Sequence, residues 1–241
     1  MDVLGIEITK REVVASIAIV GIMASIGFFI SGQIDNYSDS KRTEYSKAVR
    51  IERAESFEYG MRTHIGNALV FGELTAVDPV GYPGVDGEYI EISQTTEQYT
   101  MHTRMVPHTV NGETTYTTET YWTWDEIASE TKQCEQVEML GIIFAKEKIS
   151  PLYMQYVGTV RASSELRYNY SGAASGMVGT MFTNLSGGEV GENSIFYESD
   201  IDSVLEKVSS RWGVKVFWTV WVILMVVCVS LFFCEDNYWL E

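Results

Sequence analysis

Two long apolar stretches lie near the ends of this chain, and a polar segment separates them. Neither Val13 to Ile34 nor Val216 to Cys234 contains a charged residue. Crossing the ~30 Å hydrocarbon core of a bilayer takes about 20 helical residues, so both stretches are long enough to span it. The pattern therefore predicts an integral membrane protein that works through the segment between its two spans.

A secretory signal is the alternative for the first stretch, because Lys10 and Arg11 precede it. The stretch is longer than a usual signal core, and no small-x-small cleavage site stands out after it. We therefore interpret it as a retained anchor. The predicted regions are an N-terminal tail (1–12), a first span (13–34), a folded domain (35–211), a second span (212–234) and a C-terminal tail (235–241).

The orientation of the spans follows less directly from charge. Lys10 and Arg11 precede the first span on its tail side, but basic residues also flank both spans on the domain side, so the tail and the domain edges disagree. Long loops are largely exempt from the positive-inside rule. We therefore expect both tails in the cytoplasm and the domain outside the cytoplasm or in a lumen.

Small residues in the first span, Ala18, Gly21 and Ser25, recur at helical spacing and form a seam that would let another helix approach closely. The second span offers bulky side chains that could fill such a seam, within one chain or between chains. These are Phe217, Val220, Leu224, Val227 and Leu231. The alternative is that the small residues face lipid or the base of the domain.

Aromatic residues cluster at both ends of the second span. Indole rings prefer the headgroup level of a bilayer, so we expect four tryptophans to anchor the helix at the membrane interfaces. These are Trp212, Trp218, Trp221 and Trp239.

The intervening domain is predicted to be rich in strands. Asn67 to Ala76 has strand character, Val77 to Gly87 is a turn, and an extended run begins at Tyr89. Further on, Glu165 to Tyr170 and Met177 to Thr183 are predicted as a strand pair. An amphipathic helix is expected from about Asp200 to Arg211. The predicted fold class is an α+β membrane protein whose two transmembrane helices flank a mainly antiparallel β domain.

The strongest local signal is the dipeptide Asn111-Gly112 between two runs rich in threonine and aromatic residues. It favours a type I′ hairpin turn, because both central positions need positive φ. Counting outward from the turn pairs Tyr99 with Trp124 and Met101 with Trp122. These four residues form an apolar face that we expect to pack on a core, as a candidate interaction face. The other face carries His102 opposite Tyr121 and Arg104 opposite Glu119.

The charge and cysteine content of the chain limit which partners and which crosslinks are expected. The chain has 33 acidic and 17 basic residues and a net charge of −16, so nucleic acid is not an expected partner. Its three cysteines leave Cys134 without a partner in the domain, so no disulfide framework is predicted.

Candidate chemistry is sparse. His102 and His108 would lie on one strand about 20 Å apart, too far to share a metal ion. The acidic run from Asp125 to Glu138 is predicted as a solvated helix face, and no serine nucleophile motif is present. We therefore predict a protein that is not an enzyme, with no catalytic residue, metal ligand or cofactor.

Four segments follow one another along the domain in a distinctive order: Phe71-Gly72-Glu73-Leu74, Thr118 to Trp124, Glu165 to Tyr170 and Met177 to Met181. This order gives the chain a resemblance to the LUMA family of transmembrane proteins. It implies a membrane-tethered, strand-rich domain without catalysis that serves assembly or membrane organisation. It also implies the endoplasmic reticulum or nuclear envelope in a eukaryote, or the plasma membrane in a bacterium. Animal members carry more C-terminal spans than the one seen here.

Two functions fit the sequence. The first is a scaffold that presents the β domain to other membrane proteins or to further copies of itself, with the lipid bilayer as its other partner. The alternative is a sensor that binds a cation or another ligand through the acidic face between Asp86 and Glu138. An extracytoplasmic hydrolase would require a pocket that places His102 or His108 beside a carboxylate.

Overall fold

The computed structural model describes residues 2–3, 6–7, 10–110, 113–150 and 152–238. They form two compact units. The helical unit contains the described residues up to Lys47 and from Asp202 onward, and the β unit contains Ala48–Ile201. The coarse fold prediction is confirmed, because two long apolar helices flank a strand-rich, mainly antiparallel β domain. The units divide at Lys47 and Asp202. The membrane boundaries at 35 and 211 stay a prediction.

The described elements follow one another from short N-terminal strands to a long C-terminal helix. In chain order they are β1 (Asp2–Val3), β2 (Ile6–Glu7), α1 (Lys10–Ser46), β3 (Val49–Ile51), α2 (Ala54–Thr63), β4 (Gly66–Ala76), β5 (Tyr89–Val110), β6 (Glu113–Gln133), β7 (Gln136–Met139), β8 (Ile142–Ala145), a 3-10 helix (Lys146–Lys148), β9 (Gln155–Arg161), β10 (Leu166–Ala174), β11 (Met177–Ser186), β12 (Glu189–Val190), β13 (Ile195–Tyr197), α3 (Ile201–Ser209) and α4 (Trp212–Tyr238).

Helix α1 continues well past the predicted end of the first span. Its 37 residues correspond to about 55 Å, against ~30 Å for a bilayer core. No glycine or proline occurs between Ile34 and Ser46 that could end the helix earlier. The hydroxyl of Ser38 donates to the Ile34 carbonyl at 2.9 Å, and Lys41 pairs with Glu44 at 3.0 Å on the same polar extension.

Helices α1 and α4 run antiparallel in the first unit. Successive contacts join Met23 to Trp221, Ser31 to Trp218 and Asp35 to Arg211, so position along one helix rises as position along the other falls. The predicted helix before the second span is confirmed as α3.

The β unit contains two sheets. Four strands are ordered β6-β5-β10-β9, and the larger sheet is ordered β12-β11-β4-β7-β8, with β13 beside β11 and β3 parallel to β4. The predicted strand over Asn67 to Ala76 is confirmed by β4, and the predicted strand character of both later segments is confirmed by β10 and β11.

Two predictions about this unit are wrong. Strands β10 and β11 do not pair with each other, because the chain leaves one sheet at Ala174 and enters the other at Met177. The acidic run after the hairpin is not a helix through Glu130, because β6 continues as a strand to Gln133 and its backbone pairs with β5. Cross-strand pairing outweighs the weak helical spacing of these residues. Helix α2 was not predicted.

The main core of the β unit combines α2 with both sheets. Its fully buried members include Phe57, Val70, Met139 and Met181. A smaller cluster of Tyr82, Tyr89, Ile92 and Tyr170 lies under the four-stranded sheet. The core side of that sheet is therefore the side that carries Ile92.

Candidate interaction surface

Strands β5 and β6 extend beyond the rest of their sheet as a two-stranded ribbon. Strand β10 pairs with β5 only as far as Gln98, and the amide of Tyr99 then donates to the Glu165 carbonyl at 2.9 Å. Beyond Tyr99, among the described residues, β5 pairs with β6 alone up to Val110. At ~3.3 Å per residue, the ribbon is about 35 Å long.

The register of the ribbon is the predicted one. Tyr99 pairs with Trp124, Met101 with Trp122, and the pairing continues to Val110 and Glu113. The turn residues Asn111 and Gly112 lie outside the described residues. Pro107, which cannot donate a ladder hydrogen bond, lies where β5 has a partner on one side only, as its chemistry requires.

One face of this ribbon is uncharged and rich in aromatic and methionine side chains. We call it the neutral face, and its members are Tyr99, Met101, Thr103, Met105, Pro107, Thr109, Thr114, Tyr116, Thr118, Thr120, Trp122 and Trp124. The ring of Tyr99 lies 5.2 Å from that of Trp122 and 5.1 Å from that of Trp124. These stacks hold the base of the face as one aromatic cluster.

The neutral face is open rather than buried, contrary to the expectation that it packs on a core. Trp122 is 52% exposed, Met101 58% and Met105 75%. Side chains alternate along β5, so Tyr99 points to the side of the sheet opposite Ile92, and Ile92 is the residue that faces the core. The register was right, but the core lies on the other side.

Arg167 fixes the base of the neutral face from the neighbouring strand. Its guanidinium carbon lies 4.3 Å from the ring centre of Trp124, and its Nε donates to a Glu97 carboxylate oxygen at 2.5 Å. Both charged side chains are largely covered. A stacked, paired guanidinium restricts the indole, so the aromatic cluster is held in place.

The opposite face of the ribbon carries two pairs of charged or titratable side chains. His102 Nε2 lies 2.5 Å from a carboxylate oxygen of Asp125, and Thr123 donates to the other oxygen at 2.8 Å. Two hydrogen bonds lower the pKa of Asp125. The bond from Thr123 has the larger effect, and the bond from His102 has the next largest. Arg104 pairs with Glu119 at 2.7 Å. These contacts join the two strands and stiffen the ribbon.

The histidine and cysteine side chains that could take part in chemistry do not form a common site among the described residues. Among the described residues, no group of three or more His, Cys, Asp or Glu side chains could hold a metal ion. His64 Nδ1 accepts a hydrogen bond from the Gly187 amide at 2.6 Å and thereby fixes a turn. The Cys134 thiol is buried, and burial raises its pKa, so it stays protonated at neutral pH.

Two surface depressions of the described residues contain no histidine. One of about 640 Å³ is lined by residues of α3 and the start of α4, including Glu206 and Lys207. One of about 300 Å³ is lined by residues that include Lys148 and Glu189. Neither of these two depressions therefore places His102 or His108 beside a carboxylate.

In the helical unit, the seam of small residues does not face α4. Ala18, Gly21 and Ser25 are exposed, and a Cβ added at Gly21 would meet nothing within 4 Å. Ser25 donates instead to its own helix at the Gly21 carbonyl. The pairing of this seam with the second span inside one chain is therefore absent.

Another small residue makes the close approach between the helices. Gly27 is buried, and a Cβ placed there would lie 2.5 Å from Nε1 of Trp221. Of the five bulky residues that were expected to fill a seam, Phe217 is half-buried and stacks on Trp221, and the other four are exposed. Val220, Leu224, Val227 and Leu231 are all more than 40% exposed.

The four expected interface tryptophans divide into different environments. Trp212 is 70% exposed, as an anchor requires, and Trp239 lies outside the described residues. Trp218 and Trp221 are half-buried against α1, where their indole nitrogens donate to Ser31 Oγ at 3.1 Å and to the Met23 carbonyl at 3.0 Å. These two rings contribute to helix packing, a role that the sequence did not reveal.

Comparison with protein-family models, with curated proteins and with solved structures finds no match. The description of this protein therefore rests on its own structure. It has two apolar helices of membrane-spanning length and a β domain with an open aromatic ribbon.

Proposed function

We propose that this chain is a non-enzymatic integral membrane protein that presents its β domain for assembly, scaffolding or protein–protein interaction. The observation that carries the proposal is the open neutral face of the ribbon. Soluble domains rarely expose large contiguous apolar patches, and such a patch generally marks an interaction site.

Membrane insertion is supported by how little of the apolar helices is covered. In the most apolar windows of the two helical segments, 6% and none of the residues are buried. A core helix of a soluble protein would be covered by its own domain. Left in water, these surfaces would cost a large free energy, which a bilayer removes.

The antiparallel contacts between α1 and α4 support a hairpin arrangement of the two spans. A hairpin puts both tails on one side of the bilayer and the β domain on the other. We assign the tails to the cytoplasm and the domain to the extracytoplasmic or luminal side.

An interaction role is supported by the composition and rigidity of the neutral face. Tryptophan, tyrosine and methionine are the residues enriched at the centres of protein interfaces. The ring stacks of Tyr99 and the clamp of Arg167 already order the cluster, so little side-chain freedom remains to be lost on binding.

A non-catalytic role fits the positions of the reactive side chains. His64 fixes a turn, His102 joins two strands through Asp125, and Cys134 fills the core. The resemblance to the LUMA family stays a prediction and carries none of this proposal.

Alkaline extraction and protease protection test the membrane arrangement. We expect the chain to stay with the membrane pellet at high pH, with both termini cleaved from the same side. Release into the supernatant, or termini on opposite sides, contradicts the proposal.

Amine- and carboxyl-reactive crosslinking in native membranes, read by mass spectrometry, tests the interaction role. We expect crosslinked species that contain this chain, whatever the partner. They should weaken several-fold in Trp122→Asp but not in Thr117→Asp, which adds the same charge to the opposite face. A chain that yields no crosslinked species at all contradicts the role.

A further inference from the structure

We propose that the neutral face docks against the same face of a second copy of this chain. This inference rests on the proposed interaction role and names its partner. Three observations carry it: the charge pattern, the distribution of large and small side chains, and the exposure of the face.

Charge favours this face over other surfaces for contact between copies. The chain carries a net charge of −16, so two copies repel each other across most approaches. The neutral face has no charged side chain from Tyr99 to Thr109 or from Thr114 to Trp124. Two such faces can meet without bringing like charges into contact and without desolvating an ion.

The same pattern makes partners of other chemistry less suitable. A cationic partner would find no carboxylate on the neutral face, because Glu119 and Asp125 lie on the opposite side. An added strand would bind the backbone along the outer edge of β6 and leave the face uncovered. An uncharged surface of matching composition fits best, and a second copy supplies one.

Side-chain size along the ribbon allows self-complementary packing. The base carries Tyr99, Trp122 and Trp124, whereas the middle carries the smaller Thr103 and Thr120. A twofold contact brings the same patch of both copies together, so large side chains of one copy can occupy the space above small ones of the other. The methyl groups of threonine provide apolar contact at these positions.

The size of the face sets the expected strength. A two-stranded ribbon about 35 Å long and roughly 10 Å wide offers on the order of 350 Å² per copy. This is less than the ~800 Å² per partner of a stable soluble complex. The contact therefore needs the high local concentration that anchoring in one membrane gives, and dilution in detergent should weaken it.

Cysteine crosslinking in native membranes tests the inference. Full-length Cys134→Ala, Cys228→Ala, Cys234→Ala protein provides the background, into which Thr120→Cys is introduced. Thr117→Cys is the matched control, because it is exposed on the same strand but faces the other way. A short bismaleimide is the probe.

The expected result is a dimer of twice the chain mass that forms several-fold more with Thr120→Cys than with Thr117→Cys. Thr103→Cys, on the partner strand of the same face, should behave like Thr120→Cys and serves if that variant fails to accumulate. Adding Trp122→Glu to Thr120→Cys should abolish the dimer, whereas adding Thr117→Glu should not.

Equal crosslinking at both faces, or none at Thr120→Cys and Thr103→Cys, overturns the inference. So does a dimer that survives Trp122→Glu. A crosslink from Thr120→Cys to a different protein only also overturns self-docking, but the proposed interaction role then stands.

Discussion

The ring of Trp221 occupies the space that a side chain at Gly27 would need. A Cβ at Gly27 would lie 2.5 Å from its Nε1 atom, which donates a hydrogen bond to the Met23 carbonyl at 3.0 Å. In a bilayer the hydrophobic effect does not drive helices together, because lipid tails are as apolar as the side chains. Helices associate there mainly through hydrogen bonds and through close packing at small residues. Gly27 is therefore the position on which the packing of α1 against α4 depends.

Gly27→Ala should destabilise the helix pair, and Gly21→Ala should not. Both changes raise helix propensity equally, by about 1 kcal/mol. Only the first forces Trp221 to move, which costs roughly 1–3 kcal/mol. Unfolding in mixed micelles by SDS titration measures the difference. Equal effects of the two substitutions would show that α1 and α4 do not pack at Gly27.

Removing the Lys146 ammonium should destabilise the β unit. Its Nζ is paired with Glu91 and also donates a hydrogen bond to Gln133 Oε1 at 2.9 Å. The two charged side chains are 9% and 22% exposed. Lys146→Met leaves the Glu91 carboxylate largely buried and unpaired, at a cost of about 3 kcal/mol.

Urea unfolding of the full chain in detergent measures this cost by tryptophan fluorescence. The double variant Lys146→Met, Glu91→Gln should recover much of the loss, since no isolated charge remains. A double variant as unstable as Lys146→Met alone would mean that the pair does not act through charge.

Asp78 should give the β unit part of its acid sensitivity. Its carboxylate accepts backbone hydrogen bonds from Glu135 at 2.8 Å and Gln136 at 3.0 Å, and these bonds lower its pKa from the ordinary value of 3.8. A lowered folded-state pKa contributes stability above the unfolded value, and this stability is lost as pH falls through the folded one.

We therefore expect Asp78→Asn to be less stable than wild type at neutral pH, with the gap closing below about pH 4. Thermal melting over a pH series checks this. Asp86→Asn removes the same charge and is the control. A gap between wild type and Asp78→Asn that is constant with pH would exclude a contribution from ionised Asp78.

Residues of the neutral face should contribute little to stability. Trp122 is 52% exposed, so Trp122→Thr should cost about 1 kcal/mol or less, mainly through its stack on Tyr99. Met139 is fully buried, and Met139→Ala should cost roughly 2–5 kcal/mol. Urea unfolding compares the two. A cost at Trp122 as large as that at Met139 would mean that the face belongs to the core.

The success of the hairpin prediction and the failure of the helix prediction after it have related causes. The dipeptide Asn111-Gly112 predicts a two-residue turn, and counting outward from it predicts which residues are opposite without knowledge of the rest of the molecule. The bulge at Ile127 shifts the register by one, from Glu97 opposite Glu126 to Thr96 opposite Ala128. Past it, the acidic residues look weakly helical alone but have a strand partner in β5.

The helix seam shows the same limit. Ala18, Gly21 and Ser25 have the spacing of a packing motif, and Gly27 lies on a different side of the same helix. Spacing alone did not distinguish the two sides. The indole of Trp221, nearly two hundred residues away in the chain, contacts only one of them.

By itself the sequence determined the two apolar helices, the strand-rich class of the domain and the ribbon register, since local composition, alternation and turn chemistry specify each of these. Only the tertiary structure decided which face of the ribbon stays open, which sheet each of β10 and β11 joins, and which side of α1 meets α4. Those outcomes depend on contacts between residues distant in the chain, and their free energy comes from packing and pairing that no short segment contains.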